Sequence, residues 1–292
     1  MTAVVSSEGS ITMIDVISEM LSLGFMTRAI IVGTLISLCA ALLGVTLVLK
    51  RFSMIGDGLS HVGFGALAVA AALNAAPLAV AIPVTVAAAF LLLRLGNSKK
   101  IKGDAAIALI SAGSLAAGVV ISYLSGNSNS ELSNYLFGSS ALFIKSSDLP
   151  VSIALAAAVI VSFLLLYRRV FAVTFDEAFA KASGAKTGLV NALISVLTAV
   201  TVVLGMRLMG ALLISALIII PALSSMRIFG SFRSVTVSSA ITSVICFLAG
   251  SVVSYAFELP YGAAIVLTEL AVFGVFCAAS GIRKLIRKRK SS

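Results

Sequence analysis

Residues 27–49 read TRAIIVGTLISLCAALLGVTLVL, with a single charged residue near one end, and the basic pair Lys50-Arg51 follows at once. A helix of that length spans a hydrocarbon core of ~30 Å. In a bilayer each backbone amide must find its partner within its own helix, so such a run reads as a transmembrane helix. Outward from it the pattern recurs. Nine spans are expected, at 27–49, 55–74, 77–95, 104–126, 149–169, 188–205, 209–228, 234–257 and 261–282. Eight remain if a segment near Arg207 is re-entrant.

Composition says the same. The 292 residues are 60% hydrophobic and 11% charged, with a mean hydropathy of +1.16, where soluble domains carry about 25% charged residues. The chain is expected to be a single membrane domain over 1–292. Residues 1–26 are an amino-terminal interfacial segment, with Met13 to Phe25 as an amphipathic helix; 27–282 form the bundle, and 283–292 a basic cytoplasmic tail. MIDVISEMLSLGF lacks the basic start and cleavage site of a secretory signal.

Short cytoplasmic loops retain Lys and Arg. With Lys50 and Arg51 inside, only Arg28, Lys145 and Arg207 of the 21 basic residues fall outside. Nine spans then put the amino end outside and the tail RKLIRKRK in the cytoplasm. The net charge of +10 follows from topology, and no nucleic-acid partner is implied. Cys39, Cys246 and Cys277 sit far apart in apolar runs without metal-ligand spacing, as inert buried thiols do.

The chemistry that is missing matters as much. SGAKTG at 183–188 lacks the adjacent Gly-Lys of a phosphate loop, and no HExxH occurs. The chain is not expected to be an enzyme or to hold a prosthetic group.

The informative residues are polar ones inside spans, where a charge costs ~2.5–3.5 kcal/mol on insertion scales and marks function. Asp57 and His61, the only histidine, lie four apart and share a helix face. Carboxylate oxygen plus imidazole nitrogen suits Zn²⁺ or Mn²⁺. The bland alternative is a mutual ion pair bracing the helix. Glu269, eight residues into the last span, reads as a pathway residue or a structural polar one. Gly56, Gly58, Gly63 and Gly65 suit close helix packing.

KRFSMIGDGLSHVGFGALAVA at 50–70 resembles the signature of the membrane-spanning permeases of zinc/manganese-type ABC importers. GALLISALIIIPALSS at 210–225 is similar to that family's second characteristic segment, and LPYGAAIVL at 259–267 to the one before its last helix. Tyr261 stands where a small residue would be expected. The resemblance runs from about residue 20 to 282. It implies a type II ABC importer permease fold, acting as a homodimer in the cell membrane. It also implies a cytoplasmic ATP-binding subunit that burns the ATP and an extracellular solute-binding protein that delivers Zn²⁺ or Mn²⁺. Asp57 and His61 match the family's acidic and histidine positions in the translocation path. The cytoplasmic turn after Pro221, with Arg227, Phe229, Gly230, Phe232 and Arg233, is implied to dock on the ATPase; TFDEAFAKASGAKT at 174–187 is the rival element. The competing function class is an ion-coupled secondary transporter relaying protons or sodium through Glu269, Asp57 and His61, and it would need neither partner.

Overall fold

The computed structural model describes residues 13–96, 103–126, 138 and 148–290. Among them are twelve helices and no strand: α1 (Met13–Ser22), α2 (Gly24–Leu49), α3 (Ile55–Ala72), α4 (Pro77–Gly96), α5 (Gly103–Leu124), α6 (Asp148–Leu165), α7 (Tyr167–Phe175), α8 (Glu177–Ala182), α9 (Thr187–Met209), α10 (Ala211–Ile228), α11 (Phe232–Ala256) and α12 (Tyr261–Lys290). Lys145, used above to orient the chain, lies outside the described residues.

Seven helices, α2, α3, α5, α9, α10, α11 and α12, are long and apolar enough to cross a membrane, and the bent pair α6–α7 makes an eighth. Among the described residues seven to eight candidate crossings thus stand beside the nine expected, or the eight of the alternative. The run at 77–95 forms α4, with Pro83 inside it. The run at 149–169 is broken: α6 and α7 meet at 74°. The cause is readable in the chain, because Tyr167-Arg168-Arg169 follows the apolar stretch and basic side chains seek the interface. The segments flanking Arg207, suspected of re-entry, are both long and apolar enough to cross.

Large side chains close the centre. Ile36, Leu59, Phe64, Met206, Leu213, Leu217 and Phe247 are fully buried where α2, α3, α9, α10 and α11 meet. Polar residues in these helices satisfy themselves locally: Thr198, Ser215, Ser224 and Thr236 each donate to the carbonyl four residues back, as an environment without water demands. Gly44 of α2 lies so close to the Ile218 carbonyl of α10 that any Cβ there would overlap it. Gly210 alone joins α9 to α10, at a φ of 93° that L side chains rarely adopt. The chain reverses there: Gly205 packs on Ile214, which a continuous helix would hold ~13 Å away.

Candidate functional site

The site begins at the end of α2. Arg51 takes a left-handed φ of 63°, and two backbone bonds, Arg51 N–H to Val48 and Phe52 N–H to Leu47, close the helix. Three residues later α3 starts. Its third residue is Asp57, and His61 follows one turn on. Small residues let neighbours grip α3 closely: a Cβ on Gly56 would meet Ile218 of α10, on Gly58 Ile107 of α5, on Gly63 Met206 of α9, and on Gly65 the Ser114 carbonyl of α5. The expectation of close packing at these four positions holds.

The Asp57 Oδ1 and His61 Nε2 atoms stand 3.6 Å apart. That is too long for a hydrogen bond. It is close to the separation of two ligands on one tetrahedral zinc, roughly 3.3 Å for bonds of about 2.0 Å. The other imidazole nitrogen, Nδ1, is buried without a hydrogen bond, and the Asp57 side chain is 39% exposed. The Ser215 hydroxyl of α10 reaches Asp57 Oδ1 at 3.5 Å, a neighbour that sequence reasoning missed. Its one signal was position, since Ser215 is a polar residue inside the segment 210–225. Among the described residues no three of His, Cys, Asp and Glu come together as a ligand set. One chain thus offers two ligands, and both lie at a half-buried edge of α3.

Glu269 is set apart from this pair. It is 1% exposed within α12, neither carboxylate oxygen has a hydrogen-bond partner, and Cys246 of α11 is its neighbour.

The turn after Pro221 departs from expectation. Phe232, read above as a docking residue of an exposed turn, is 6% exposed and is corrected to a core residue. It packs on Tyr167, Phe171 and Phe175 with ring centroids 5.5, 5.4 and 6.1 Å away, and on Phe163 at 6.4 Å. The bend between α6 and α7 carries this stripe onto the start of α11. Its four-residue spacing, 163–167–171–175, was the sequence signal. Arg227 lies over the Phe273 ring at 5.8 Å. Phe229 and Arg233 border a lateral groove of about 750 Å³ that Ile241, Ile245 and Phe276 also line. Gly230 is outside both helices, and Ser231 caps α11 by accepting from the Ser234 N–H.

The rival element, α8, presents the more exposed aromatic side chain. Asp176 caps α8 by accepting the Phe179 N–H at 2.8 Å, and Phe179 is 69% exposed. Behind α8, Asn191 of α9 donates from Nδ2 to Glu177 Oε1 at 2.8 Å. Lys50 donates to Asn191 Oδ1 at 2.5 Å and lies 3.6 Å from Glu177 Oε2. Burial pushes the Lys50 amine below its ordinary value, and the Glu177 carboxylate pulls it part of the way back.

Comparison with known proteins bears on the whole chain. The model of the ABC 3 transport family matches residues 22–280. A probable metal transport system membrane protein of Thermotoga maritima is 32% identical over 257 residues, covering 87% of this chain and 90% of that protein. The high-affinity zinc uptake system membrane protein ZnuB of Haemophilus influenzae is 28% identical over 246 residues, or 84% and 94% of the two chains. Other relatives are named for manganese import and iron transport. The structure titled PsaBC from Streptococcus pneumoniae in complex with Fab is similar with a TM-score of 0.81 at 25% identity, over 91% of this chain and 95% of that one. Several all-helical crossings, the fold of a solved permease and a family match from the first crossing to the last agree: the chain belongs to the ABC 3 transport family and is a multi-pass, non-catalytic membrane permease subunit of an ATP-binding cassette transporter.

Proposed function

We propose that this permease carries a divalent transition-metal ion, Zn²⁺ or Mn²⁺, into the cytoplasm across the cell membrane, and that Asp57 and His61 hold the ion in passage. The observation that carries this reading is their 3.6 Å separation. It is too wide for a hydrogen bond, and it suits a shared cation as well as it would an ion pair. Members of this family work in a complex with an ATPase and a binding protein, so the energy comes from outside the chain. Two ligands are too few for tight capture and suit a site the ion must leave. The Asp57 and His61 of a second permease copy, facing this pair across a dimer axis, complete the shell. Zinc is the slightly preferred cargo.

The ATPase docks chiefly on α8. A short capped helix with Phe179 exposed at its surface presents an aromatic anchor, the residue type that dominates interface energetics. Phe232 cannot serve, being buried, and Arg227, Phe229, Gly230 and Arg233 form a secondary edge. The test is metal uptake by proteoliposomes holding permease and ATPase. Asp57→Asn and His61→Ala should each lower uptake at least tenfold while the ATPase still copurifies. Wild-type uptake in both variants would reduce the pair to a helix brace and end the site assignment.

A further inference from the structure

Lys50, Glu177 and Asn191 close a ring of polar contacts among three elements that the site description left without a task. Lys50 caps the carboxyl end of α2, Glu177 is the first residue of α8, and Asn191 lies one turn into α9. Each contacts the other two: Lys50 to Asn191, Asn191 to Glu177, and Lys50 to Glu177. The Lys50 side chain is only 11% exposed. A buried ammonium is costly unless paired and hydrogen-bonded, so the ring holds these elements in register.

What Lys50 is attached to gives the ring its meaning. Backbone hydrogen bonds brace most of the link from Lys50 to α3. Phe52 N–H bonds to Leu47, Ile55 N–H to Phe52, and Gly58 N–H to Met54. Between the Lys50 side chain and the helix that bears Asp57, only Ser53 stands outside these bonds, which leaves little slack. A displacement of Glu177 is therefore carried into α3 and is not absorbed by a loop.

We propose that the Lys50–Glu177–Asn191 ring is the joint that transmits movement of α8 to the helix carrying Asp57 and His61, with Lys50 and Glu177 as positioning residues for transport. This rests on the reading of α8 as the ATPase contact. A ring that merely staples the bundle would protect stability; a joint sets how much metal moves per ATP. Glu177→Gln separates the two roles, because the amide oxygen can still accept from Asn191 while the NH₂ that replaces the other oxygen offers Lys50 neither charge nor acceptor.

The experiment uses the permease–ATPase complex in proteoliposomes and reads copurified ATPase, ATP hydrolysis and metal moved per ATP. In Lys50→Gln, at a residue outside α8, bound ATPase should be unchanged, hydrolysis should stay within about twofold, and metal per ATP should fall about tenfold or more; Glu177→Gln should lower metal per ATP alike, measured per ATPase retained. The swap Lys50→Glu with Glu177→Lys should recover a large part of that ratio; should the swap not fold, Glu177→Gln alone decides. An unchanged ratio in Glu177→Gln overturns the proposal, and so does a fall fully explained by lost ATPase. Phe179→Ala, measured alongside, reads docking alone: if it leaves ATPase binding intact, the α8 contact is wrong even where the joint behaves as stated.

Discussion

The Ser215 hydroxyl of α10 lies 3.5 Å from the same Asp57 oxygen that faces His61, so two different helices meet at one carboxylate. A hydroxyl at that distance contributes little, well inside the ~0.5–1.5 kcal/mol of an ordinary hydrogen bond. Ser215→Ala is expected to change initial uptake no more than about threefold. Ser215→Leu, which puts bulk against Asp57, is expected to abolish it with the permease still in the membrane. Undiminished uptake in the leucine variant would place the path elsewhere.

Ligand chemistry gives a second expectation. Imidazole suits zinc, whereas carboxylates suit harder ions such as manganese. His61→Asp should move the ratio of Mn²⁺ to Zn²⁺ uptake toward manganese by about tenfold in competition assays. A constant ratio would mean that His61 never touches the ion.

Two phenylalanines separate stability from coupling. Phe232 is packed among four aromatic rings, and cutting a buried Phe to Ala costs ~3–5 kcal/mol. Phe232→Ala should lower the melting temperature in detergent and the amount of inserted protein. Phe179→Ala should leave both unchanged and weaken ATPase binding. The opposite pattern would restore the 226–237 turn as the principal contact.

Glu269 offers a fourth check. An ionised carboxylate buried without a partner is expensive, and both of its oxygens lack one. Glu269→Gln keeps the volume and removes the charge, so membrane level and uptake should match the wild type. Glu269→Lys should fail to accumulate. Loss of uptake with normal insertion in the glutamine variant would give the carboxylate a transport role.

The α3 pair was legible because burial of charge in an apolar run is visible in one dimension, and a four-residue spacing survives any later packing. Most crossings were legible for the same reason. The α6–α7 break was harder: the apolar run ends at Leu166, and whether the helix goes straight or turns depends on where two arginines can find water. Phe232 was misread because local sequence shows a turn, whereas its burial comes from a stripe more than fifty residues upstream. Lys50 was read only as an orientation signal. Its partners, Glu177 and Asn191, lie over a hundred residues away, and nothing in the local pattern announces them.

The turn at Gly210 leaves α9 and α10 no freedom to part, and Gly44 presses α2 onto α10 at the Ile218 carbonyl. Three crossings are thus joined at points that admit no added side chain. α3 meets the same residue of α10, where Gly56 packs on Ile218, so a single isoleucine holds both α2 and the helix that bears Asp57 and His61 in register.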